Sequence, residues 1–102
     1  MDKILNYSFI SDFLIFLLTY SDMGNANPNE RVVITYAAKR SVSKQELGNI
    51  ELLLFQANFI TRCPNRIEDR FVNFTPGALT PDGIVLARKL SNGDCSSLII
   101  AL

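Results

Sequence analysis

Histidine and tryptophan are missing from this chain. Without an imidazole there is no side chain of ordinary pKa near neutrality to act as general base or metal ligand, so Ser–His and Cys–His catalysis and His-built metal sites are excluded. Cysteine is scarce: Cys63 and Cys95 do not make a disulfide framework and read as two reduced thiols in a cytoplasmic protein. No Gly-rich phosphate loop, paired-acid motif or metal-ligand spacing is present, so neither enzymatic activity nor a cofactor is expected. Long apolar runs are lacking too. The stretch Phe13-Leu-Ile-Phe-Leu-Leu18 is far shorter than the roughly 20 residues of a spanning helix, and Asp12 stands directly before it. Asp2 and Lys3 cancel at the start, which is not the basic opening of a signal peptide. No membrane partner is expected. Nor is there an excess of either charge: ten basic and ten acidic side chains give a formal net charge of zero, which argues against a protein that coats nucleic acid non-specifically.

What the chain does have is apolar surface. At 102 residues and 48% hydrophobic content it reads as one domain, with a composition able to form a core and also to bury surface against a second copy. The zero net charge conceals an asymmetry. Residues 1–27 carry Asp2, Asp12 and Asp22 against Lys3, whereas residues 28–92 carry nine basic side chains against six acidic ones, a net of about +3.

The first segment, residues 2–20, reads as a helix. Phe9, Phe13, Phe16, Leu17 and Tyr20 follow the i, i+3/i+4 spacing, and Ile10, Leu14 and Leu18 extend the apolar surface to a second side. Such a helix needs cover on more than one side, either from a partner subunit or from the centre of its own monomer. An Asn- and Gly-rich loop follows through Asn27. Asn27-Pro28-Asn29-Glu30 then reads as a helix start, with Asn27 as N-cap and Pro28 in the first position, opening a second helix over residues 28–39. Val-Val-Ile-Thr-Tyr within it also fits a strand; the caps favour helix. Ser43 and Glu46 form a capping box for a third helix, residues 43–57, burying Leu47, Ile50, Leu54, Leu53 and Ala57. Its other side carries Lys44, Gln45, Gly48, Asn49, Leu52 and Gln56, with Glu51 and Phe55 at the flanks. Two helices joined by a turn of about four residues, the second amphipathic, fit a helix-turn-helix.

Two β-like runs follow, residues 59–63 and 70–74, with a polar tip at 64–69 between them. Thr80-Pro81 starts a fourth helix and Asn92-Gly93 stops it. The apolar tail beyond, residues 94–102, reads as a last strand, a short helix or a segment packed on a partner. The expected class is mainly α with a small β-hairpin, an α+β arrangement in the order helix, helix, helix, strand, tip, strand, helix.

That order, together with two stretches, resembles the winged helix-turn-helix of broadly MarR-like and PadR-like transcriptional regulators. Asn58-Phe-Ile-Thr-Arg-Cys-Pro-Asn-Arg-Ile-Glu-Asp-Arg-Phe-Val-Asn-Phe74 looks like the passage from a recognition helix across an arginine-bearing wing. Leu79-Thr-Pro-Asp-Gly-Ile-Val-Leu-Ala-Arg-Lys-Leu90 looks like the "Leu-Thr-x-x-Gly-x-x-Leu" helix start that follows the wing. The resemblance spans roughly residues 28–90, between an N-terminal apolar helix and loop (1–27) and the apolar tail (91–102). It implies a small dimeric transcription regulator bound to double-stranded DNA, with the third helix in a major groove and the wing on the phosphate backbone. Lys44, Gln45 and Asn49 then become base-edge or phosphate contacts, and Arg62, Arg66 and Arg70 wing contacts. Phe9, Phe13, Phe16, Leu17, Leu98 and Ile99 would form the dimer interface.

Each of these positions also has a plainer reading. Lys44, Gln45 and Asn49 fit a solvated helix face, and the three arginines fit local pairing with Glu68 and Asp69. Leu52 and Phe55 are either covered by the first helix or the tail, or form a patch for a protein partner. The alternative function is therefore a winged-helix protein–protein interaction module without DNA binding. Cys63, beside Arg62 and Arg66, reads as a small strand-edge thiol or as a redox sensor whose pKa the arginines lower.

Overall fold

The computed structural model describes residues 6–24, 27–94 and 96–101, and side chains within these as far as Leu98. The first helix, α1 (Tyr7–Asp22), opens on Asn6, whose side-chain oxygen accepts the Phe9 amide at 3.1 Å. Its two apolar stripes bury Phe9, Ile10, Phe13, Leu14, Leu17 and Leu18. Cover comes from the chain itself: α4 (Pro81–Ser91) and α5 (Ser96–Ala101) pack against α1, and the Phe9 and Phe13 rings meet Tyr36 of α2 (Glu30–Lys39) at a tilt. Residues expected at a dimer interface take part in this packing. Phe9, Phe13, Leu17 and Leu98 are buried within one chain, and Phe16 is half-buried against Tyr36; the Ile99 side chain and the expected start of the helix at residues 2–5 lie outside the described residues. Burial of each such side chain stabilises by about 1.5–3 kcal/mol, which is why α1 occupies the centre of the molecule. None of the described helices is long and apolar enough to cross a membrane.

The cap of α2 is Asn29 rather than Asn27. Its side chain accepts the Val32 amide at 2.9 Å, and Pro28 precedes the helix instead of entering it. The helix ends at Arg40, and Ser41 adopts a left-handed φ of 61°. The Val42 amide then donates back to the Ala37 carbonyl at 2.9 Å, which seats Val42 in the core. That reversal aims the chain into α3 (Lys44–Gln56), capped by Ser43, whose hydroxyl accepts the Glu46 amide at 3.1 Å. Leu47, Ile50 and Leu54 are buried as the spacing requires, while Leu53 and Ala57 are half-buried. Gly48 and Glu51 are buried too, which corrects their placement on the outer side and flank of the helix.

The hairpin departs from the expected strands. Its ladder joins β1 (Asn65–Ile67) to β2 (Arg70–Val72), with Arg66 opposite Phe71 and a two-residue reversal at Glu68 and Asp69. Residues expected in the tip are therefore strand. The run 59–63 pairs lower down, with Ile60 opposite Leu79 in an isolated bridge; the Thr61 amide donates to Ala78 and the Arg62 amide to Pro76. Pro64 lies between these two paired regions and has no N–H to offer a ladder, so one long hairpin becomes a paired base and a paired tip.

Thr80 caps α4 through the Gly83 amide at 3.0 Å, with Pro81 in the first turn. The Thr80 hydroxyl also donates to the Asn58 carbonyl at 2.6 Å, so the cap ties the end of α3 to the start of α4. Gly83 sits directly against the Phe59 carbonyl, where a β-carbon would collide with backbone; the glycine permits this close approach of helix to hairpin. The tail forms a short helix. The whole is mainly helical with a small antiparallel hairpin, an α+β fold.

Candidate nucleic-acid interface

Glycine decides how the hairpin meets α3. A β-carbon on Gly48 would overlap the ring of Phe71, so the absent side chain is the seat into which Phe71 packs. Phe71 is paired with Arg66 across the hairpin, and the Arg66 guanidinium lies 5.4 Å from the centre of the Phe71 ring. The ring thus packs on α3 and carries a cation. At the end of β2, the Phe74 amide donates to the Glu30 carboxylate at 3.4 Å, which fastens the hairpin to the first turn of α2.

Between these two attachments is a cleft of about 580 Å³. Lys44 and Gln45 reach it from the first turn of α3, Arg70 and Asn73 from the hairpin, and Glu30 and Ile34 from α2, over a wall of Phe71, Val72 and Phe74. The fold brings Lys44, Gln45 and Arg70 together there. It does not bring the other three expected site residues to the cleft: Asn49 is half-buried on α3, while Arg62 and Arg66 are exposed at the base and tip of the hairpin.

Among the described residues the ion pair is Arg88 with Asp22, 3.6 Å apart and exposed on both sides. Lys44, Arg62, Arg66 and Arg70 have no such partner there, and the expected pairing of the arginines with Glu68 and Asp69 does not form. In the short two-residue reversal those carboxylates are exposed at the apex. On the outer side of α3, Leu52 is half-buried, and Phe55 keeps 43% of its surface exposed.

Glu51 is the residue that sequence reasoning missed. It is 0% exposed, and neither carboxylate oxygen has a hydrogen-bond partner. Burial, with a lesser contribution from the nearby Glu30 charge, pushes its pKa up to about 9, so at neutral pH it is held as the uncharged acid. Its signal in the sequence is position: Glu51 shares the stripe of Leu47 and Leu54 at i+4 and i+7. Cys63 is half-buried, and burial first, then the charge of Glu51, raises its thiol pKa. That is opposite to the lowering expected of a redox sensor flanked by arginines.

Compared with protein-family models, with curated proteins and with solved structures, the chain matches none.

Proposed function

We propose that the chain is a winged helix-turn-helix protein of the cytoplasm that binds double-stranded DNA and regulates transcription, with α3 as the reading helix and the hairpin as the wing. The observation that carries this reading is the cleft in which Lys44, Gln45 and Arg70 converge, next to an Arg66 held over Phe71. A cation and an amide in the first turn of α3 suit base-edge or phosphate contact, and unpaired arginines on a hairpin suit the backbone. Arg62, Arg66 and Arg70 are exposed without carboxylate partners among the described residues, which leaves their guanidinium groups available to phosphate.

Glu30 in the same cleft limits how much negative charge it accepts. Affinity then rests on the hairpin arginines more than on α3. Fluorescence anisotropy of a labelled random duplex at low salt tests the reading. Binding that falls steeply as salt rises is the expected result, and Arg66→Ala lowers affinity equally on every sequence. A folded protein whose affinity is unchanged by Arg66→Ala removes the wing from the contact surface.

The second reading, a protein-interaction module, draws on the exposed Phe55 beside Leu52. It predicts no binding of duplex DNA at low salt, and a partner interaction that Phe55→Ala weakens.

A further inference from the structure

α2 turns one side, Glu30 and Ile34, toward the cleft. Its Val32, Thr35 and Lys39 lie roughly half a turn away at 3.6 residues per turn. Here α1 and α2 leave an open trough of about 500 Å³ that shares no residue with the cleft. Its floor is aromatic: the Phe16 and Tyr36 rings stack with centroids 4.3 Å apart, and both are half-buried. Its rim is cationic, formed by Arg31, Lys39 and Arg40. The Arg40 guanidinium lies 3.8 Å from the centre of the Tyr36 ring and reaches the Tyr36 carbonyl at 3.5 Å. None of the three cations has an ion-pair partner among the described residues. Among the described residues the trough is lined by three cations and no carboxylate, and the one carboxylate felt at Tyr36, together with the charge of Arg40, is that of Asp12 of α1.

Stacked aromatic rings under unpaired arginines are the composition of an interface centre rather than of a solvated helix face. The guanidinium fork matches a carboxylate in two parallel hydrogen bonds, and the half-buried aromatic floor leaves surface that an apolar side chain would cover. A phosphate backbone would satisfy the rim and leave the floor wet. We infer that this trough docks an acidic peptide segment of a partner protein, one that carries a large apolar side chain among its carboxylates.

The test is a titration of the isotope-labelled full chain, followed by amide chemical shifts. Its probes are a synthetic peptide of Asp and Glu around a central Leu-Phe, the same peptide with Asn and Gln for the acids, and a short DNA duplex. The acidic peptide is expected to shift Phe16 and the amides of residues 31–40. The neutral peptide binds about tenfold more weakly or less, as does the acidic peptide on the double variant Arg31→Glu with Lys39→Glu. Both substituted residues are exposed, so the variant folds. The inference is overturned if the acidic peptide leaves these amides unshifted, or if the neutral peptide or the double variant binds equally well. Shifts of the same amides by the duplex alone would make the trough a phosphate contact and overturn it too. Shifts that depend on protein concentration alone would assign the trough to a second copy, with the same consequence. Because cleft and trough share no residue, either reading can fail without the other.

Discussion

Glu51 gives the stability of this chain a pH dependence, because burial raises its carboxyl pKa to about 9. The folded chain keeps it protonated up to about pH 9, whereas an unshifted glutamate ionises near 4.5. Between those values the unfolded chain binds fewer protons than the folded one, so stability falls as pH rises, by up to about 1.4 kcal/mol per unit. Melting temperature is therefore expected to drop between about pH 5 and about pH 8, and Glu51→Leu is expected to flatten that slope and raise stability at the upper end. An equal slope in the variant would mean that Glu51 is solvated. Gly48 makes a second residue-scale prediction. Alanine would gain up to about 1 kcal/mol of helix propensity, but its methyl overlaps the buried Phe71 ring, and such overpacking costs about 1–3 kcal/mol. Gly48→Ala should lower the melting temperature and weaken DNA binding with it, because the hairpin must shift. A more stable variant with unchanged affinity would contradict the seat. The burial of Glu51 was legible only in its place on the stripe of Leu47 and Leu54, and that of Gly48 was not, because a helix wheel places positions but not the neighbour that covers them. The covering hairpin comes from about 20 residues further along the chain.

Element boundaries were legible where the deciding bond is local. Ser43 and Thr80 each cap a helix by accepting an amide three residues on, and that spacing is written in the sequence. Ser43→Ala should accordingly cost about 1 kcal/mol, a shift of about 4–8 °C in a domain of this size, measured by thermal unfolding. No shift would mean that the start of α3 is held by packing alone. The hairpin register was not legible. It depends on where Pro64 breaks the pairing and on a two-residue reversal at Glu68, whose φ of 56° is a conformation that glutamate rarely adopts. The cap of α2 went to Asn29, whose side chain accepts the Val32 amide, although Asn27 satisfies the same local rule. Of the candidate site, the residue types were legible from the resemblance. The convergence of Lys44, Gln45 and Arg70 was not, since it needs the Phe71 seat.

At the scale of the whole molecule, the question raised by the apolar first helix was what covers it. α4, α5 and α2 do, within one chain. Unfolding should then be independent of protein concentration, whereas an obligate dimer's melting temperature rises with it. Phe13→Ala, at a fully buried position, should destabilise by about 3–5 kcal/mol without changing the molecular mass in solution. The surface outside this packing carries a cleft at α3 and the hairpin and a trough at α1 and α2. We propose that DNA binds at the cleft and along the hairpin beside it. The most direct test is the anisotropy of a labelled duplex at about 50 mM salt, comparing the wild-type chain with the double variant Arg66→Ala, Arg70→Ala. Binding that weakens steeply with salt, and in the variant a lower affinity with a salt dependence shallower by about two, is the predicted result. A folded wild-type chain that leaves the anisotropy unchanged at that salt would contradict the proposal that this protein binds DNA.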